Sequence, residues 1–197
     1  MKTLAAVLGA VVLFVLVLGV WAVGAYNGLV GRNENVGKAW AQVESQYQRR
    51  FDLVPNLVET VKGSAKFEKD TLTAVVEARA KVGSMTVDKG VLNDPASFKK
   101  FEEAQSGLSS ALSRLMVVVE KYPDIKSTEA FRDLQVQLEG TENRIAVARK
   151  DFNDAAQDYN TAIKTFPGAL LAGFGGFKER AYFSAAPAAA QAPAVKF

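Results

Sequence analysis

The first pattern along the chain is an unbroken apolar run. From Leu4 to Val23 nearly every residue is Leu, Val or Ala, joined by Phe14, Trp21 and a few Gly, and no charge occurs between Lys2 and Arg32. A helix of ~20 such residues rises ~30 Å, which matches the hydrocarbon core of a bilayer. Trp21 and Tyr26 stand at the exit of the run, where amphipathic aromatic rings favour the headgroup layer. A cleavable signal peptide is the competing reading, with Lys2 as its basic start and Ala22-Val23-Gly24 as a poor cleavage site. Its apolar stretch is ordinarily about 7–15 residues, so the longer run here predicts a retained transmembrane anchor over residues 1–27. The flanking cations (Lys2 on one side, Arg32 and Lys38 on the other) leave the side of the following domain open.

Beyond the anchor the period changes to that of helices, and no stretch alternates as a half-buried strand does. Val36, Trp40, Val43 and Tyr47 are spaced 4, 3, 4 and predict a helix over 35–50, continuous with the anchor but for Gly28 and Gly31. Pro55 lacks an N–H and disfavours a helical conformation at Val54, so a break is expected there, with Asp52 as N-cap of a second helix running to Gly83. That helix would carry Leu53, Leu57, Val61, Leu72, Val75 and Val76. Residues 83–95 read as a loop, and Asp94-Pro95 as N-cap and first position of a third helix. Its stripe is Phe98, Phe101, Gln105, Leu108, Leu112, Leu115, Val119 and Tyr122. Ser127 is the expected cap of a fourth helix reaching Phe166-Pro167. Its stripe of Phe131, Leu134, Leu138, Thr141, Ile145, Ala148, Phe152, Ala155, Tyr159, Ala162 and Phe166 makes five heptads, as in a four-helix bundle or coiled coil. After Pro167 the composition turns Gly- and Phe-rich to Phe183, then Ala- and Pro-rich; the Ala/Pro part has too few large apolar groups to build a core and is expected to be a flexible tail.

Composition narrows the chemistry. The 197 residues include no Cys and no His, which excludes disulfides, thiolate nucleophiles, Cys/His zinc sites and His general bases. Carboxylate or Lys chemistry remains open. The net charge of +3, from 24 Lys and Arg against 21 Asp and Glu, is interspersed along the helices rather than gathered into a basic stripe, so nucleic acid is not an expected partner.

Several strings have a familiar form. YNGLV at Tyr26–Val30, AWAQVESQYQRRFDLVPNLVETVKG at Ala39–Gly63, LTAVVEAR at Leu72–Arg79, LQVQLEGTENRIAVARKDFN at Leu134–Asn153 and YNTAIKTFP at Tyr159–Pro167 resemble the LemA family of bacterial membrane proteins. Val54 departs from the Ile often found in that family. The resemblance implies a single-pass protein of the cell envelope bearing an antiparallel helical bundle, with links to membrane organisation in some members and no agreed catalytic activity. The resulting expectation is an all-α protein: an N-terminal transmembrane helix (1–27), an elongated antiparallel four-helix bundle (28–167), and a Gly/Phe-rich segment with an Ala/Pro-rich tail (168–197).

The residues singled out for a structural or partner-facing role are Trp40, Arg50, Asp52, Asn56, Glu142, Asn143, Arg144, Arg149 and Asn160. In the string Arg49–Asn56, a bend could present Arg50, Asp52 and Asn56 to a partner; equally, Asp52 caps a helix and Arg50 is solvated. Glu142, Arg149, Asn153 and Asn160 are 7, 4 and 7 apart beside the apolar stripe. They can form a buried polar ladder with Arg50 or Asn56 that fixes register. One Glu without a second carboxylate or a His makes a poor cation site, so no metal, cofactor, small-molecule substrate or catalytic residue is expected. Phe174-Gly175-Gly176-Phe177 could enter the headgroup layer, dock on a partner, or fold back over the bundle end. Val195-Lys196-Phe197 could engage a partner's sheet edge or carboxylate pocket. The expected function is a non-enzymatic scaffold that contacts membrane lipid and self-associates or recruits another membrane protein. A sensor or accessory subunit is the alternative.

Overall fold

The structure, a computed structural model, describes residues 2–63, 67–85 and 89–184. It is all-α, with no strand among the described residues. The helices are α1 (Lys2–Lys62), α2 (Lys69–Gly83), α3 (Pro95–Val119), the single turn α4 (Pro123–Lys126), α5 (Glu129–Lys164) and α6 (Gly168–Gly175), with a 3-10 turn at Lys89–Asn93. The Ala/Pro-rich tail and the closing Val195-Lys196-Phe197 lie outside the described residues.

α1 is one uninterrupted helix of 61 residues, so neither the two glycines nor Pro55 divides it. The expected break at Pro55, with Asp52 as a cap, is therefore corrected. Two physical reasons account for the continuity. The buried positions Val36, Trp40, Val43, Tyr47, Arg50, Val54, Leu57 and Val61 keep a 3–4 spacing straight through the proline, so a bend would tear both flanking segments from their partners. And the carbonyl that Pro55 leaves without its helical donor is that of Phe51, four residues earlier; the Arg79 Nε of α2 donates to it at 3.3 Å. The true break comes at Gly63, whose N–H closes the helix on the Glu59 carbonyl. The single helix expected over 52–83 is thus the end of α1 plus a separate α2, and Val76 faces solvent.

α3 follows its expected stripe, with Phe98, Phe101, Gln105, Leu108, Leu112, Leu115 and Val119 all buried. The Asp94 carboxylate accepts from the backbone N–H of Ala96 and of Ser97, and its bond from the Ser97 hydroxyl is the first of the contacts holding its pKa below the usual carboxylate range. α5 is capped by Thr128, not Ser127: the Thr128 hydroxyl accepts from Phe131 N–H, while Ser127 closes α4 through its N–H to the Pro123 carbonyl. Along α5 the stripe is buried as expected from Phe131 to Phe152 and then passes to Ala156, Tyr159 and Ile163, leaving Phe166 exposed. A straight helix drifts ~20° per heptad from a 3.5-residue repeat, and five heptads amount to about one residue.

Pairing across helices runs in opposing chain directions. Trp21, Arg32 and Arg50 of α1 meet Phe166, Asp158 and Glu142 in and beside α5. Phe67 and Tyr122, flanking α2 and α3, meet with tilted rings at 5.0 Å between centroids. Two apolar clusters fill the interior. The distal one, furthest from the apolar run, is largely aliphatic: Val54, Leu57, Val61, Val75, Leu108, Leu112, Leu115, Ile125 and Leu138, with Phe67 and Phe131. The proximal one is aromatic, built on Trp40, Tyr47, Phe98, Phe101, Phe152, Tyr159 and Phe183. No α2 residue belongs to the proximal cluster. There Val91 and Leu92 of the 3-10 turn, Ala172 of α6 and Phe183 close the wall instead.

Candidate functional site

Between the two clusters lies a polar layer. Arg50 is 1% exposed, one turn past Tyr47 and one turn before Val54. Its Nη1 donates to Glu142 Oε1 at 2.9 Å and to the Ser109 hydroxyl; its Nη2 donates to the side-chain and backbone oxygens of Gln105. The Ser109 hydroxyl in turn donates to Glu142 Oε2 at 3.2 Å, and the guanidinium stands 5.0 Å from the Tyr47 ring centroid. α1, α3 and α5 are thereby locked in one axial register, because sliding any of them by a turn would strand a buried cation. Burial pushes the Tyr47 phenol above its ordinary pKa, against the pull of Arg149 and Arg50.

Toward the N-terminal apolar run, α5 holds the segment that follows α6. Asn153 donates to the Phe183 carbonyl and accepts from the Phe183 N–H, at 3.0 and 2.9 Å. Two turns on, Asn160 does the same for Arg180, at 2.8 and 2.9 Å, and also donates to the Tyr182 hydroxyl. These two amides stand in for a neighbouring strand and leave residues 177–184 as an extended strap along the helices. Phe183 enters the core, its ring 4.9 Å from that of Phe98, 5.4 Å from Phe152 and 6.1 Å from Trp40. Arg149 lies over Phe183 at 4.6 Å, pairs with Glu102 and donates to the Ser184 carbonyl; Glu102 accepts from the Ser184 N–H. Arg180 reaches Asn33 of α1 at 2.7 Å and Asn93 beside α3, so the strap ties three elements together. Burial raises the pKa of Tyr159, whose ring lies beneath Arg180.

Of the residues proposed from sequence, Trp40, Arg50, Glu142, Arg149 and Asn160 converge on this layer and strap. Trp40 is buried and donates from Nε1 to Glu44. Asp52 and Asn56 stay on the exposed face of α1, Asp52 accepting from Gln48 at 2.7 Å. Asn143 and Arg144 are exposed and line a shallow cavity of about 310 Å³ with Gln42, Gln46, Val147 and Asp151. A larger cavity of about 540 Å³ opens where α1 and α3 meet the end of α2, beside Tyr47, Phe51, Gly83 and Gln105. Trp21 touches Phe166 at 5.9 Å between centroids, and Tyr26 touches Phe177 at 5.5 Å. Sequence reading missed Glu102, Ser109, Asn33, Arg180 and Phe183 as members. The one available signal was Gln105, a polar residue on an otherwise apolar stripe. Among the described residues, no three Asp or Glu side chains converge on a point that could hold a metal ion.

The family model for the LemA family matches residues 39–197, beginning one residue before Trp40. Magnetosome protein MamQ 2 of Paramagnetospirillum magneticum is 35% identical over 179 residues, covering 83% of this chain and 66% of the relative. Magnetosome protein MamQ of Magnetospirillum gryphiswaldense is 31% identical with the same coverage, and Protein LemA of Metamycoplasma hominis is 24% identical over 159 residues, 79% of this chain and 68% of its own length. The chain thus spans just under two thirds of the MamQ proteins it matches.

Proposed function

The chain belongs to the LemA family, and from that membership we propose that it is a non-enzymatic scaffold anchored by one membrane span in the bacterial cell membrane. The observation that carries this reading is α1. Its large apolar side chains from Leu4 to Val23 are all exposed, and the same helix enters the core at Leu29, Val36 and Trp40 without a joint. A side-chain surface that, among the described residues, is left open apart from the Phe166 ring against Trp21, and that is long and apolar enough to cross a bilayer, supports an anchor rather than a buried core helix. Kinship with LemA and with proteins named for the magnetosome supports a membrane-associated role.

In this reading α1, α2, α3 and α5 form an antiparallel four-helix bundle in the distal half, and the whole domain is a rod standing on its anchor. The rod holds a second copy, or another membrane protein, at a set distance from the lipid. Asn143 and Arg144, beside the exposed Val147, are the side chains offered to that partner.

The test is the assembly state of the full-length protein in lipid nanodiscs. Dimers or larger assemblies support self-association; a monomer that captures no membrane partner and leaves vesicle shape unchanged removes the scaffold reading. The unjointed α1 also favours a second reading, an accessory subunit that passes a signal through its anchor. It requires a defined partner with little homo-oligomer. A single Ser127→Cys, at the exposed distal end of a chain without cysteines, reports the side: labelling of intact cells by an impermeant maleimide puts the rod outside the cytoplasm, and labelling only after lysis puts it inside.

A further inference from the structure

α6 and the turn before it carry an apolar face that the described residues leave uncovered. Leu170 is 60% exposed and Phe174 93%, and their spacing of four residues sets both on one side of α6; Phe166, 74% exposed, stands in the turn before it. The opposite side is packed: Gly168 lies against Leu29, Ala172 is buried and Leu171 is half-buried. No charged residue occurs from Thr165 to Phe177, while Lys164 and Lys178 flank the stretch. Exposed apolar side chains elsewhere on the domain, such as Val76, Val117 and Val136, belong to packed helices with polar neighbours and need no special account.

The position of this face identifies what covers it. Phe166 meets Trp21, Gly168 meets Leu29, and Tyr26 meets Phe177, so α6 lies level with residues 21–29 of α1. That is the height at which the helix leaves the apolar run and the aromatic residues of the interface begin. The uncovered face is therefore continuous with the surface of the span itself. We propose that Phe166, Leu170 and Phe174 enter the headgroup layer as a second membrane contact, so that the domain is held at two points and its axis is fixed relative to the bilayer. A short helix with an apolar outer face between flanking lysines is suited to lie in the plane of the interface. Two contacts remove the rotation and tilt that one span would leave free. The strap that follows α6 then couples this lipid contact to the Trp40 core through Phe183.

The inference rests on reading residues 4–23 as the span, and the experiment separates the two. Single cysteines replace Phe174, Leu13 and Ser127 in the full-length protein, each is labelled with an environment-sensitive NBD dye, and the protein is reconstituted in vesicles carrying spin-labelled lipids. Phe174 is almost wholly exposed, so F174C removes no packing. The expected result is a blue-shifted emission at 174, with greater intensity loss from a headgroup-proximal spin label than from one at the acyl terminus. Leu13 should show the reverse preference, and Ser127 no loss. Water-like emission at 174 with deep quenching at 13 overturns the second contact and leaves the anchor standing. A blue shift at 174 that lipid labels do not quench overturns it in favour of a second copy covering the face. Quenching at neither 13 nor 174 removes both the contact and the span.

Discussion

The two halves of the domain are closed by different means. In the distal half the wall opposite α1 and α5 is a helix, α2, packed on α3 through aliphatic side chains. In the proximal half α2 has ended, and its place is taken by a 3-10 turn and an extended strap that contributes Phe183 to a nest of aromatic rings. A helix satisfies its own backbone and needs only an apolar face. A strap does not, and here Asn153, Asn160 and Glu102 supply the missing partners. The distal half is thus secured mainly by burial, whereas the proximal half adds a few directional bonds to its buried aromatic core, with the Arg50 layer at the boundary.

The largest expected effect comes from the proximal core. Trp40→Ala removes the ring shared by Phe98, Phe101, Phe152 and Phe183 and should cost about 3–5 kcal/mol, read as a lower unfolding midpoint in micelles. The Arg50 layer predicts an asymmetry. Glu142→Leu strands a buried cation and should cost about 3 kcal/mol, near the low end for breaking a buried pair. Arg50→Met leaves a carboxylate that is 41% exposed and can be rehydrated, so about 1–2 kcal/mol is expected. Equal losses would mean that Glu142 is not the partner that keeps Arg50 buried.

A smaller and local change is expected from Asn160→Ala, which unpairs the N–H and carbonyl of Arg180 at a cost of about 2 kcal/mol. Hydrogen exchange should rise across 177–184 while α2 and the distal half of α3 stay protected; a uniform rise would show that the halves are not separable. In the distal half, Arg79→Met should cost about 1 kcal/mol by orphaning the Phe51 carbonyl. The double variant Arg79→Met with Pro55→Ala should recover most of that loss, because the alanine N–H restores the helical bond.

The smallest effect concerns the entry to α3. The folded pKa of Asp94 is lowered, first by its bond from the Ser97 hydroxyl. Its contribution is therefore full above the ordinary carboxylate range and is lost as pH falls through the lowered value. Asp94→Asn should flatten that acid limb of a stability-against-pH curve and change little at neutral pH, since Asn is also a good cap.

Legibility in the sequence followed the range of the forces involved. The stripe from Phe98 to Val119, the Asp94 cap and the start of the α5 stripe were readable because each depends on neighbours within a turn or two. Pro55 was misread because its local rule is sound, yet the remedy is Arg79, 24 residues further on. The signal against a break was present in the spacing Tyr47, Arg50, Val54, Leu57, Val61, which does not skip at the proline. Thr128 in place of Ser127 is a choice between two adjacent hydroxyls that only backbone geometry makes. The ladder positions Glu142, Arg149, Asn153 and Asn160 were visible as one flank of a helix, and Arg50 as a partner for it, but the strap was not. Three of the four face a strap whose path depends on where α6 turns back.

By itself, then, the sequence determined the apolar run, the helical class, the interior faces of α3 and most of α5, and the chemistries barred by the lack of Cys and His. Those properties are periodic or compositional, and burial acts on them through spacing alone. Only the tertiary structure decided that α1 passes through Pro55, that Arg50 lies between two cores, and that residues 177–184 stand where a fourth helix would be. Each of these depends on a donor meeting an acceptor far along the chain, and one-dimensional patterns do not record such pairings.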